Sequence, residues 1–167
     1  MTQLRERSAF WDVVAEVLDP EVPVLSVVDL GIVRDVREEG DTVVVEVTPT
    51  YSGCPAMRVI EQDITTALRQ AGATNVRIDT VYQPAWTTDW ISADARERLR
   101  AYGIAPPTGR APVGPELVSL QRRIAAVRCP RCGSMETEQR SEFGSTACKA
   151  IWFCNGCSEP FEYLKPI

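Results

Sequence analysis

The sequence contains no histidine. This removes Ser-His-Asp and Cys-His catalysis, haem ligation by imidazole, and every zinc pattern that mixes cysteine with histidine. Long apolar runs are missing too: no stretch approaches the ~20 residues needed to span a bilayer, and the polar start Met1 to Arg7 lacks the apolar core of a signal peptide. A cytoplasmic protein is the expectation. Basic residues are outnumbered, 18 against 23 acidic, for a net charge of -5. The chain therefore lacks the positive footprint that duplex nucleic acid or an anionic membrane requires.

Six cysteines are present, and in a reducing compartment they read as metal ligands or reactive thiols rather than a disulfide framework. Four form a doubled pattern: Cys129-x2-Cys132, twenty-one intervening residues, then Cys154-x2-Cys157. Cysteines so spaced let a tight turn aim two thiolates and nearby backbone N–H groups at one ion, and two such turns close a tetrahedron. The gap slightly exceeds the usual ~15–20 residues and has room for a β-hairpin. Pro130, Gly133 and Asn155-Gly156 supply turn chemistry. Four thiolates leave no open position, so the site is structural, with zinc expected; an iron site of the rubredoxin kind uses the same ligands. Cys148, nearby, is either a buried small apolar residue or an auxiliary ligand.

Upstream, Phe10, Val13, Val14, Val17 and Leu18 recur at helical spacing until Asp19-Pro20. The β-branched runs Gly31 to Arg37 and Thr42 to Thr48 flank Glu38-Glu39-Gly40-Asp41 and predict a hairpin, with Val43, Val45 and Val47 on one face. Met57, Ile60, Ile64, Ala67, Leu68 and Ala71 predict a helix ending at Gly72, with Cys54 at its N-cap and Pro55 at its first position. A thiol there is either activated by the helix dipole or simply a half-buried cap residue. Asn75 to Val81 follows as a strand, and Ser92 to Tyr102 as a helix capped by Ser92 and stopped by Gly103. The segment Trp86 to Ile91 is either core packing or a partner surface. Asp29 and Asp35 read as solvated loop or strand-end residues. The expected architecture is α+β, a small sheet with helices on one face, over residues 1–103. A proline-rich linker over 104–115 and a four-cysteine zinc ribbon over 116–167 complete it.

Several motifs together carry a resemblance. Asp19-Pro20-Glu21-Val22-Pro23 through Ser26-Val27-Val28-Asp29-Leu30-Gly31, followed by Thr48-Pro49-Thr50-Tyr51-Ser52-Gly53-Cys54-Pro55, resembles the metal-sulfur cluster assembly domain family, which includes iron–sulfur cluster maturation factors. Phe143-Gly144-Ser145-Thr146-Ala147-Cys148-Lys149-Ala150, with Cys154 to Cys157 and Glu159 to Tyr163, resembles the D-subunit family of phenylacetyl-CoA ring 1,2-epoxidase systems. The resemblance implies an accessory, non-enzymatic role in aerobic phenylacetate degradation: helping to install an iron–sulfur cluster or other metal centre in a multicomponent oxygenase. The reductase component is the favoured client. By the same resemblance Cys54 is the cluster-handling thiol, with Asp19 and Glu21 lining its site. A usual cluster needs four thiolates, so a transiently held one requires a second copy, a partner or a small thiol. The alternative is a structural subunit of the oxygenase complex. An enzyme using Cys54 as nucleophile is disfavoured, because no general base is evident.

Overall fold

Helix α1 (Phe10–Ala15) is shorter than its apolar spacing predicts. The Glu16 and Val17 N–H groups bond to Val13 and Val14, a tightening of the last turn. Leu18 leaves the helix to bridge Ser26 and is exposed. The computed structural model describes residues 8–51, 53–108 and 126–166. The chain divides into two compact units, Met1–Trp86 and Thr87–Ile167.

In the first unit, β1 (Val33–Glu39) and β2 (Thr42–Val47) form the expected antiparallel hairpin. Glu39 pairs with Thr42, leaving Gly40-Asp41 as a two-residue loop; Gly40 has φ 65°, which glycine adopts without a Cβ penalty. Helix α2 (Met57–Gln70) then crosses over to β3 (Asn75–Thr80), which runs parallel to β2, giving the order β1-β2-β3. Val36, Val43, Val45 and Val47 share one face by register and are buried. Ile60, Ile64 and Leu68 of α2 are buried as well, and α2 contacts β3 and α1 while α1 contacts β1. Both helices thus lie on one side of a small sheet.

The other face is not simply polar, because Val44 on the central strand is fully buried. Its register partners are Arg37 and Arg77, long side chains with aliphatic stems that share this face with it. Their guanidinium heads join a mesh of carboxylates: Arg37 reaches Glu46 at 2.6 Å, Glu39 at 2.9 Å and Asp35 at 3.5 Å, and Arg77 reaches Glu39 at 3.0 Å and Asp79 at 3.1 Å.

The second unit begins with a short 3-10 helix (Thr88–Trp90) and α3 (Ala93–Tyr102). Ser92 Oγ accepts the Ala95 N–H at 3.1 Å, and Gly103, at φ 98°, ends α3, as the sequence predicts. Arg96 ties the segment together by donating to the carbonyls of Ile91, Thr88 and Pro107. The ribbon strands are β5 (Thr137–Ser141), β6 (Lys149–Cys154) and β7 (Glu159–Leu164). A fourth strand, β4 (Ile104–Ala105), lies parallel to β7, giving the order β4-β7-β6-β5.

This differs from the boundary expected at residue 103. The first unit ends at Trp86, and the expected linker opens with a strand rather than a tether. Pairing with β7 buries Ile104 and Ala105, and Tyr163 Oη lies 3.1 Å from Thr108 Oγ1. Residues 109–115 of that linker lie outside the described residues. Trp86 is buried in the first unit, its Nε1 donating to the Leu30 carbonyl at 2.8 Å, so this tryptophan is core.

Candidate functional site

Two turns of matching construction carry the four ribbon cysteines. In the first, the Gly133 N–H donates to Cys129 O at 3.0 Å and the Cys129 N–H to Ser134 O at 2.9 Å. In the second, Cys154 ends β6, and the Asn155 N–H donates to Glu136 O at 2.8 Å, which ties this turn to the exit of the first. Each turn is followed by a residue in the left-handed region, Gly133 at φ 76° and Ser158 at φ 59°. The turns aim backbone N–H groups at sulfur, Cys157 at Cys154 within the second turn, and Ser134 at Cys132 and Glu159 at Cys157 just after each reversal.

The four Sγ atoms lie within 4.8 Å of one another, with Cys129 to Cys157 at 3.8 Å and Cys132 to Cys154 at 3.5 Å. A tetrahedral ion with ~2.3 Å bonds to sulfur has edges of ~3.8 Å, so the donor set and spacing fit such an ion. The thiols cannot all ionise unaided. Burial raises Cys154, but the Cys157 N–H and the neighbouring thiols bring it down to about 7; burial and the thiols of Cys154, Cys132 and Cys129 push Cys157 up to about 12. A central cation is what allows four thiolates to share this space. The turns also touch each other: a Cβ on Gly156 would fall 2.9 Å from both Cβ and Oγ of Ser134.

The ribbon core consists of Ala105, Val127, Cys129, Ala150, Trp152, Cys154, Phe161 and Tyr163, with Cys157 packed against it. Beside it Lys149 is buried, its Nζ 3.0 Å from Glu162 Oε2, while Ser145 donates to Glu162 Oε1 from Oγ at 2.6 Å and from N–H at 3.2 Å. Burial raises the Glu162 carboxyl, but Ser145 and Lys149 outweigh it and hold the group below the ordinary glutamate range. Sequence reasoning missed this cluster; the available signal was a lysine inside the apolar run Ala147 to Trp152. Cys148 is buried, with Thr146 Oγ1 at 3.1 Å from its sulfur, and lies outside the group of four.

Cys54 is half-exposed and is not the N-cap of α2. The cap position belongs to Ala56, whose carbonyl accepts the first α-helical bond, from the Ile60 N–H at 2.9 Å. Cys54 lies two residues earlier in a tight turn, its N–H donating to Tyr51 O and its carbonyl accepting from Met57, both at 3.3 Å. These short-range bonds occupy the backbone before the helix begins.

Asp19 is buried and shapes its loop: its Oδ1 accepts from the N–H groups of Glu21 at 2.8 Å and Val22 at 2.7 Å. Glu21 is half-buried beside it. Ser26 and Asp29 cap each other, Ser26 N–H to Asp29 Oδ2 at 2.9 Å and Asp29 N–H to Ser26 Oγ at 3.1 Å. Backbone bonds from Thr48 to Ile32, Ile32 to Val27 and Val27 to Val17 bring the Asp19 loop and the loop that starts at Thr48 to one end of the sheet. No helix among the described residues is long and apolar enough to cross a membrane.

Two family models match: "Iron-sulfur cluster assembly protein" over residues 7–80 and "PaaD zinc beta ribbon domain" over residues 114–165. An Escherichia coli (strain K12) protein, named as the D component of a 1,2-phenylacetyl-CoA epoxidase, is 49% identical over 160 residues, covering 94% of this chain and 91% of that protein. A Porphyromonas gingivalis (strain ATCC BAA-308 / W83) protein named Fe-S protein maturation auxiliary factor is 37% identical over 85 residues, covering 50% of this chain and 80% of that protein. A crystal structure of a domain of unknown function from Bacillus anthracis is 28% identical with a TM-score of 0.49, covering 54% of this chain and 87% of that one. With its two matched regions and its near full-length likeness to the Escherichia coli protein, the chain belongs to the family that joins an iron–sulfur cluster assembly domain to a PaaD zinc β-ribbon.

Proposed function

We propose that this chain is a non-catalytic accessory factor that helps install an iron–sulfur cluster in a multicomponent phenylacetyl-CoA epoxidase, with the reductase component as client. Cys54 is the thiol that handles the cluster, Asp19 and Glu21 line its site, and the cluster is cargo rather than a resident cofactor. Cys129, Cys132, Cys154 and Cys157 hold a structural zinc ion, and the protein works in the cytoplasm. One observation carries the reading. Of the six cysteines, four converge on one centre and Cys148 is buried, so the half-exposed Cys54 is the thiol left to act, and it lies in the region matched by the assembly family.

The test is Cys54→Ser in cells expressing the whole oxygenase system. The variant should fold normally, since Cys54 is neither a cap nor fully buried. Its reductase should be under-loaded in iron and sulfide, and pre-matured reductase should restore epoxidation. Normal cluster content with Cys54→Ser would sink the proposal. The second reading, a structural component of the oxygenase complex, draws on the Escherichia coli relative being named as part of an epoxidase. It gains if fully matured oxygenase still requires this chain for turnover.

A further inference from the structure

Of the sheet edges among the described residues, three carry devices that discourage pairing. Strand β1 is bulged between Val33 and Asp35, β5 is bulged between Gln139 and Ser141, and β4 has two residues. Such features are how proteins keep open edges from templating another strand. Strand β3 has none of them: six residues in unbroken register with β2, no proline, Asn75, Arg77 and Thr80 exposed, and Val76, Ile78 and Asp79 half-exposed.

We propose that the β3 edge pairs antiparallel with the β3 edge of a second copy of this chain, about a two-fold axis at Ile78. The proposal is independent of the cluster-handling reading. Its first support is backbone direction. The Val81 N–H donates to Val47 O at 2.8 Å, so the odd-numbered residues of this strand turn their N–H and C=O groups toward β2. Val76, Ile78 and Thr80 therefore present theirs to the open edge. With the axis at Ile78, Val76 meets Thr80, Ile78 meets Ile78 and Thr80 meets Val76, and each pair exchanges both N–H···O=C bonds.

The second support is charge. The same register sets Arg77 opposite Asp79 of the second copy, and Asp79 opposite its Arg77, at non-hydrogen-bonded positions where facing side chains approach most closely. These residues share the outer face of the sheet, while Ile78 meets its counterpart on the helix side. Moving the axis to Val76 or Thr80 loses both ion pairs, and parallel pairing puts Arg77 against Arg77. An isologous two-fold contact is also the commonest closed assembly.

Sedimentation equilibrium of the intact metal-loaded chain over a wide concentration range tests this. The parent should dimerise reversibly. Arg77→Asp and Asp79→Arg, which each set like charges in opposition twice, should each weaken association on the order of tenfold or more. The double variant Arg77→Asp/Asp79→Arg should recover it. Thr80→Pro deletes only an outward N–H, is tolerable on an edge strand, and should also give monomer with an unchanged circular dichroism spectrum. A parent that stays monomeric throughout, a dimer that survives Arg77→Asp or Thr80→Pro, or a double variant that fails to recover would overturn the proposal.

Discussion

Gly156 lies where the two metal-binding turns press together, and its lack of a Cβ lets Ser134 approach. In Gly156→Ala the new methyl must displace Ser134 or spread the cysteines, an overpacking cost of ~1–3 kcal/mol. The expected result is a lower melting temperature for the metal-loaded protein and faster metal release to a chelator. Ser134→Gly in the same chain should restore part of the loss; an unaltered release rate in Gly156→Ala would show that the turns do not press on each other. The four ligands were legible because their spacing is the chemistry. The matching backbone of the two turns was only half legible: glycine marks the left-handed position at Gly133, and nothing in Ser158 marks the same conformation.

Strands β6 and β7 are held together by more than their ladder. Lys149 on β6 is buried and depends on Glu162 of β7 for its counter-charge, so Glu162→Gln should cost ~1–3 kcal/mol near neutral pH. The sign of its pH dependence follows from the depressed carboxyl. A glutamate that ionises more easily folded than unfolded stabilises fully above its unfolded value, ~4.3, and loses that contribution as pH falls through its folded value. The melting-temperature gap between parent and Glu162→Gln should therefore be wide above about pH 5 and narrow on acidification. A gap constant with pH would mean the loss is one of packing. Local pattern foretold β1, β2, α2 and α3, where β-branched runs, helical spacing and Gly40 or Gly103 act within a few residues. It overran α1, because Val17 and Leu18 keep helical spacing after the hydrogen bonds have shifted. Strand β4 was invisible, since two residues become a strand only through a partner such as β7, distant in sequence.

The two units should respond differently to metal. The second has a small core into which three of the four ligand cysteines are packed, whereas the first buries a valine, isoleucine and leucine cluster of its own that includes none of them. In Cys132→Ser, metal content should fall to near zero and amide hydrogen exchange should accelerate across β5, β6, β7 and the β4 that leans on them, while β1 to β3 keep their protection. Equal loss in both units would contradict independent folding, and full metal content would contradict the ligand set. The compact units divide after Trp86 rather than at residue 103, and the difference has a physical reason. Gly103 ends a helix and prolines follow, a pattern that resembles a linker from the inside, while β4, which α3 contacts, joins the ribbon through β7, far along the chain. Strand β4 has a further consequence for chain engineering. Both flanks of the 109–125 stretch, Thr108 on one side and Val127 on the other, belong to the second unit. Thr108 and Val127 are thus anchored in the same body. A reporter domain grafted between them would join two points of one body, and each doubling of a flexible loop costs only ~0.6 kcal/mol of closure entropy, so β4 should keep its pairing with β7 around such a graft.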